Sequence, residues 1–475
     1  MFNRFMKGPW RFAAYAVVIA VAVGGMLFVL DTEAPRQQPG GGGGAAARPP
    51  WVYSPEAALA ANENFSVERA AAGNRPLAGT GEGADWPQFN GLHRDNRSDE
   101  TELLDEWPEG GPPLLWAAHG LGSGYSTVAV VKGVVYTLGN KGTSEALIAL
   151  DAGTGQKIWS TPFARASHTS NGDGPRGTPA IAGDAVYGLG AEGELVCVDL
   201  RTGDLRWHRN LLTDYAAANL GWGICESVLI DGDRILCTPG GTKATIVALD
   251  KQTGKEVWKT FVRNDHACYT SPIAIDVGGV RQYVHFLSGG TVGVRADDGT
   301  FLWRNDRSAN GTANCSSPLA HGDYVFSASN YGTGGALLKL TSADHSTSAE
   351  LIHHSPEMKS HHGDMVIVDG LLFGSSDPGV LTCLDLVSGE VKWQNRSIGK
   401  GAVTAADGKI SLRGEDKEVA LIAATGDEYR ELGRFEQPER SGQSAWSHPV
   451  VAHGRLFLRD QDVLLCYDVR KPLGR

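Results

Sequence analysis

The chain has 475 residues, 20% of them charged, with 62 glycines and a formal net charge of −11. The acidic balance, with no basic stripe to offset it, excludes a nucleic-acid partner. Cys197, Cys225, Cys237, Cys268, Cys315, Cys383 and Cys466 are scattered with no CxxC and no adjacent pair.

Residues 1–11 carry Arg4, Lys7 and Arg11, and an uncharged apolar run from Phe12 to Leu30 follows, closed by Asp31 and Glu33. At about 1.5 Å per residue a helix over 12–30 is just long enough to cross a hydrocarbon core. The positive flank places 1–11 in the cytoplasm. Met26-Leu27-Phe28-Val29-Leu30 is bulky where a signal-peptide cut wants small residues, and no Cys follows to accept a lipid. The reading is therefore an uncleaved transmembrane signal-anchor helix, single pass in the inner membrane, with the rest of the chain in the periplasm or extracytoplasmic space. Residues 31–84, with Gly40 to Gly44 and a following Ala-Ala-Ala-Arg-Pro-Pro, read as a flexible linker.

From residue 85 to 470 one phrase recurs: ALIALDAGTGQKIW ending at Trp159, then copies ending at Trp207, Trp258, Trp303 and Trp393. Apolar and polar residues alternate on both sides of an Asp-x-x-Thr/Ser-Gly turn, the pattern of a half-buried hairpin. A second hairpin turning on Gly precedes each copy, as in TPAIAGDAVYG from Thr178. Two hairpins make a four-stranded antiparallel blade, and a period of about 40–50 residues makes a β-propeller. Inner hairpins centred on Tyr136, Tyr187, Leu236, Val284, Phe326, Phe373, Ile410 and Leu456 give eight blades, with seven as the alternative. The fifth and seventh units lack the terminal Trp. The last unit stops at LLCYDV without its outer strand, and Pro113-Leu114-Leu115-Trp116 supplies it from the N-terminal side, closing the ring. The repeated Trp residues are expected to staple neighbouring blades. Cys225 and Cys237, on two arms of one hairpin, either bridge or, as the other cysteines do, pack as buried thiols; the second is preferred.

These repeats, with Trp86-Pro87-Gln88-Phe89, Leu121 to Ser126 and Trp446-Ser447-His448-Pro449, resemble the pyrroloquinoline-quinone-like (PQQ-like) propeller family across residues 85–470. That family includes quinoprotein alcohol dehydrogenases, the B subunit of the outer-membrane β-barrel assembly machinery and bacterial PQQ-like repeat proteins. The resemblance implies either an enzyme or a scaffold. Quinoprotein dehydrogenases carry a disulfide between adjacent Cys residues against the cofactor and a calcium held by Glu, Asn and Asp; this chain shows neither.

Registering the blades on the inner hairpin aligns Tyr125, Arg176, Cys225, Tyr269, Cys315, His362, Lys400 and Trp446 on the loops that lead into the innermost strands. Of these, Tyr125, Arg176, Tyr269, His362, Lys400 and Trp446 form a candidate ligand ring at the channel mouth. Arg176, His362 and Lys400 would make it cationic, and Tyr269 and Trp446 could stack on a flat anion such as PQQ. No catalytic residue and no metal site are expected: His266, His361, His362 and His448 fall on blades four, six and eight, with four and eight across the ring from each other. The expected function is a membrane-anchored extracytoplasmic protein-interaction or ligand-binding scaffold in cell-envelope assembly, with envelope proteins or an anionic small molecule or peptide as its partners. The alternative is a PQQ-dependent alcohol or sugar dehydrogenase, with PQQ and calcium as its cofactors.

Overall fold

The computed structural model describes residues 68–69 and 83–472. The helix expected over 12–30 lies outside them, as does most of the linker. Among the described residues no helix is long and apolar enough to cross a membrane.

Eight separate sheets, each built on four antiparallel strands, follow one another, and the innermost of those strands begin at Ala129, Ala180, Leu229, Ile273, Leu319, Ser360, Gly401 and Val450. The protein is an eight-bladed propeller, and the seven-bladed alternative falls. In blade eight, Val450–Ala452, Arg455–Asp460 and Val463–Asp468 are completed by Leu114–Ala118, antiparallel to Val463–Asp468. The N-terminal strand therefore closes the ring as its sequence requires.

The core is distributed around that ring. Each of eight buried apolar clusters lies between one blade and the next, including one between blades eight and one that joins Val450 and Phe457 to Val130 and Ile148. The repeated Trp and the repeated turn turn out to be two halves of one contact. Trp159 Nε1 donates to Leu200 O at 3.3 Å, Trp207 Nε1 to Lys251 O at 3.1 Å and Trp258 Nε1 to Ala296 O at 2.9 Å, each in the Asp-x-x-Thr-Gly hairpin or its equivalent on the following blade. The indole lies over the turn's glycine: a Cβ on Gly299 would stand 2.4 Å from Trp258, and Gly299 has φ +75°. Glycine is needed there twice over, for the turn and for the ring above it. Trp116 on the closing strand makes the same bond to Ala152 O at 3.1 Å.

Where the motif lapses, a substitute appears. Blade five ends on His353 in place of Trp, and its Nε2 donates to Leu386 O at 2.8 Å above Gly389. Trp303 faces blade five, whose strands Gly334–Ala343 and Ser346–Ser355 have lost the Asp-x-x-Thr-Gly turn, and it bonds Gln282 Oε1 of its own blade at 2.7 Å instead.

Two features depart from the sequence reading. Glu68–Arg69, inside the expected linker, pairs antiparallel with the outer strand of blade one. The Glu68 carboxylate sits 2.6 Å from Lys157 Nζ and 3.2 Å from Lys141 Nζ, which hold its pKa below the usual value. The second is a polar segment from Trp86 to Trp107 that binds the inner faces of many blades. Trp86 bridges to Val130; Arg94 donates to Ser227 O at 2.8 Å and Val228 O at 3.0 Å; Asn90 Nδ2 donates to Asp364 Oδ2 at 2.7 Å; Arg97–Ser98 runs parallel to Gly401–Ala406. Blades one, three, six and seven are thus tied together by one crossing segment. All seven cysteines are free, so the Cys225–Cys237 bridge is not formed.

Candidate functional site

A cavity of about 110 Å³ opens where the approach loops of the blades converge. Seven of the eight registered positions line it: Tyr125, Arg176, Cys225, Tyr269, Cys315, His362 and Trp446. Their equivalent places on eight equivalent loops bring residues far apart in sequence to one rim. The crossing segment contributes Phe89, which packs on His448 with ring centroids 5.2 Å apart.

The walls are aromatic. Tyr125 meets Trp446 at 4.8 Å, Trp446 meets His362 at 4.6 Å, and Trp222 meets Tyr269 at 5.1 Å. Tyr125 is only 6% exposed, and burial pushes the Tyr269 hydroxyl up to about 12 and the Cys225 thiol to about 11. Both stay neutral at ordinary pH. Asp364 is also on the wall, and burial raises its pKa from the usual carboxyl value. Its Oδ2 accepts from Asn90 and its Oδ1 from Ser317 N at 2.7 Å.

The three expected cations differ in fate. Arg176 lies with its guanidinium carbon 4.8 Å above the Tyr125 ring, a cation–π contact. It donates to Trp222 O at 2.9 Å and Thr169 Oγ1 at 2.9 Å, while Nη1 is buried with no acceptor among the described residues. His362 is engaged: its Nδ1 is 3.2 Å from Glu415 Oε1. Lys400 does not line the funnel. Its Nζ turns to His361 Nδ1 at 2.9 Å, Asp377 Oδ2 at 3.4 Å and Glu415 Oε1 at 3.5 Å. Carboxylates from blades six and seven draw it off the rim, so the positive character expected of three residues rests on Arg176. Trp446 Nε1 is a second buried donor without an acceptor among the described residues.

Trp222, Asn171, Thr127, Thr178 and His448 also line the funnel and were not in the expected ring. Trp222 stands in a Gly-Trp-Gly loop outside the repeat, the one signal that could have drawn attention to it. His266 sits apart from the funnel against Ser288.

Among the described residues a set of buried ionisable groups outside the cavity wall makes a testable pH dependence. Glu226 is 3% exposed and accepts from Thr238 N at 3.1 Å; burial raises its pKa from 4.5 to about 8. Burial likewise raises Glu145 and Glu194 to about 7. Between 4.5 and these values the folded chain holds protons that the unfolded chain has released, so stability falls as pH rises. Buried His285, held down to about 4, acts in the opposite sense only below its ordinary value of 6.5. From pH 6.5 to 8 the carboxyls act alone among these groups, and Glu226 is expected to contribute a loss of about 1–2 kcal/mol there. Urea denaturation at both pH values should show the fall, and Glu226→Gln should shrink it. A wild-type stability that is flat or rises over that window would refute the assignment.

The ring of four-stranded blades, the Trp-on-turn docking and the aromatic funnel define a PQQ-like repeat propeller. The family model described as outer membrane protein assembly factor BamB matches residues 115–221 and 144–395. The chain belongs to this family. It is 27% identical over 188 residues to the outer membrane protein assembly factor BamB of Salmonella typhimurium, a match covering 38% of this chain and 41% of that protein. The chain thus spans about two fifths of that relative's length. In fold it is similar to BamB from Moraxella catarrhalis, with a TM-score of 0.51 at 16% identity over 76% of this chain and 99% of the other. It is similar also to the quinohemoprotein alcohol dehydrogenase of Comamonas testosteroni, with a TM-score of 0.59 at 12% identity, covering 84% and 83% of the two chains.

Proposed function

We propose that this chain is a membrane-tethered, extracytoplasmic scaffold of outer-membrane protein assembly whose funnel receives a carboxylate presented by an extended segment of an envelope protein. Family membership supports the assembly role, and the basic-then-apolar opening over residues 1–30 supports the tether. The observation that carries the ligand class is Arg176, stacked on Tyr125 at the funnel wall with one N–H unmet and no carboxylate partner among the described residues. A carboxylate there would complete its hydrogen bonds, and the aromatic wall would cover the apolar side chain beside it. At about 110 Å³ the cavity admits a side chain or chain terminus and falls below the roughly 300–1,000 Å³ usual for drug-sized ligands.

A short apolar peptide with a free C-terminal carboxylate, compared with its amidated twin by calorimetry, tests this reading. The free acid should bind more tightly, and Arg176→Ala should weaken it by about 1–3 kcal/mol while leaving the amide unaffected. Arg176→Ala also gives up the bonds to Trp222 O and Thr169 Oγ1 and the stack on Tyr125, so a stability loss of about 1–3 kcal/mol accompanies it and both peptides are titrated well below the variant's unfolding midpoint. Equal affinity for the two peptides sinks the carboxylate reading.

The fold likeness to a quinohemoprotein dehydrogenase calls for a fit test of PQQ with calcium. Among the described residues Asp364 is the one carboxylate on the funnel wall, and both its oxygens are already taken by Asn90 and Ser317. The funnel thiols Cys225 and Cys315 belong to different blades and are both free. These residues do not fit a calcium-bound quinone. A rise in melting temperature on adding PQQ and Ca²⁺ would replace the scaffold reading with the oxidoreductase.

A further inference from the structure

We propose that Cys315, His361 and His362 bind one divalent late transition ion, Zn²⁺ by ligand type, on the wall of the funnel. Cys315 lies on the loop into blade five, and the two histidines stand at the start of Ser360–Val368 in blade six. Blade packing brings one potential ligand atom from each to within 4.8 Å of the others. A single zinc with bonds of about 2.0–2.3 Å sets its ligands roughly 3.3–3.8 Å apart, so side-chain shifts of about 1 Å close the set once the His361 and His362 rings, stacked with centroids 3.7 Å apart, turn toward a common point. Thiolate and imidazole ligands select zinc and its neighbours over calcium, which wants oxygen.

The surroundings are those of a prepared site. His361 is 7% exposed, and its Nε2 is buried with no partner among the described residues. A buried imidazole nitrogen left unmet is costly unless something binds it. Nδ1 of His362 donates to Glu415 Oε1 at 3.2 Å, which fixes the tautomer and leaves the Nε2 lone pair for a metal. Nδ1 of His361 lies 3.6 Å from Asp377 Oδ2 and 2.9 Å from Lys400 Nζ. With a metal on Nε2 the ring's proton moves to Nδ1, which then gives up the bonds it accepts from Lys400 Nζ and from Asn330 Nδ2 at 3.4 Å and takes Asp377 as acceptor, while the Lys400 ammonium keeps its pairs with Asp377 and Glu415. The Cys315 thiol releases its proton to solvent as the metal–sulfur bond forms. Zinc, thiolate, two carboxylates and one ammonium together leave no excess charge. Three protein ligands leave a fourth position open, and both Cys315 and His362 line the funnel.

The test uses the full-length chain purified in detergent, stripped by chelator and titrated with Co²⁺. One Co²⁺ per chain is expected, with the visible bands of a tetrahedral ion and a sulfur-to-cobalt charge-transfer band, both removed by Zn²⁺. Cys315→Ser should abolish the charge-transfer band and weaken Zn²⁺, measured by competition with a chromophoric chelator, by about 100-fold or more. Glu415→Gln should keep the band and lose about tenfold in affinity, as expected of a residue that orients a ligand. Cys268→Ser, altering a thiol that accepts from Asn314 N at 3.2 Å outside the cluster, should retain stoichiometry and spectrum. If Cys315→Ser fails to fold, His362→Ala takes its place, with loss of tetrahedral binding expected. Absence of stoichiometric Co²⁺, a spectrum without thiolate, or equal loss in Cys268→Ser overturns the proposal.

Discussion

Trp159→Ala is expected to cost about 3–5 kcal/mol of folding stability, the range for removing a fully buried indole. Trp159 is 1% exposed, belongs to the apolar cluster between blades one and two, and donates to Leu200 O at 3.3 Å. The other half of the contact is Gly203, with φ +75°, where a Cβ would stand 2.7 Å from the indole. Gly203→Ala therefore carries two faults, a left-handed backbone and a clash with the ring. Removing the indole relieves the clash but not the backbone strain. The double variant Trp159→Ala/Gly203→Ala should then lose less than the sum of the singles, by about 0.5–3 kcal/mol of coupling. Urea denaturation of the three variants measures this. A loss under about 1 kcal/mol for Trp159→Ala, or strict additivity, would mean that the docking does not hold these blades together.

What could be read from sequence follows the same physics. The hairpins announced themselves because alternation and the Asp-x-x-Thr-Gly turn are local, and eight registered copies then placed Tyr125, Arg176, Tyr269, His362 and Trp446 on one rim without any structure. The closing strand was legible as well, since one unit lacked a strand and Leu114–Ala118 lay spare. The crossing segment was not. Arg94 and Asn90 bind backbone and side chains more than a hundred residues away, and such contacts leave no periodicity. Lys400 shared the register of the ring, yet its direction is set by Asp377 and Glu415, whose proximity only the packed blades reveal. Cys315 escaped notice as a companion of His361 and His362 for the same reason: the three meet across a blade boundary.

Replacing Arg459 is expected to loosen the ring where its two ends join. The side chain is 1% exposed and reaches from blade eight into blade one, donating to Ser126 O at 3.1 Å, to Gly122 O at 3.2 Å, and to Leu138 O and Thr137 Oγ1. No carboxylate lies within 4.0 Å of it among the described residues, and burial lowers its pKa to about 9. Backbone carbonyl oxygens and the Thr137 hydroxyl solvate this cation. Arg459→Leu removes the buried charge, which recovers some desolvation energy, but strands those acceptors at about 1–3 kcal/mol each. The net loss should be about 3–5 kcal/mol. Arg459→Lys should not rescue it, because a single ammonium cannot reproduce a fork that spans two blades. The loop from Gly122 to Tyr125 is tied to this guanidinium, so Arg459→Lys, if it folds, should also bind the free-acid peptide more weakly through a displaced Tyr125–Arg176 stack. Urea denaturation and calorimetry on the two variants test both effects. Stability within about 0.5 kcal/mol of wild type for Arg459→Leu would leave ring closure to the Leu114–Ala118 strand and the docking of Trp116 on Ala152 O.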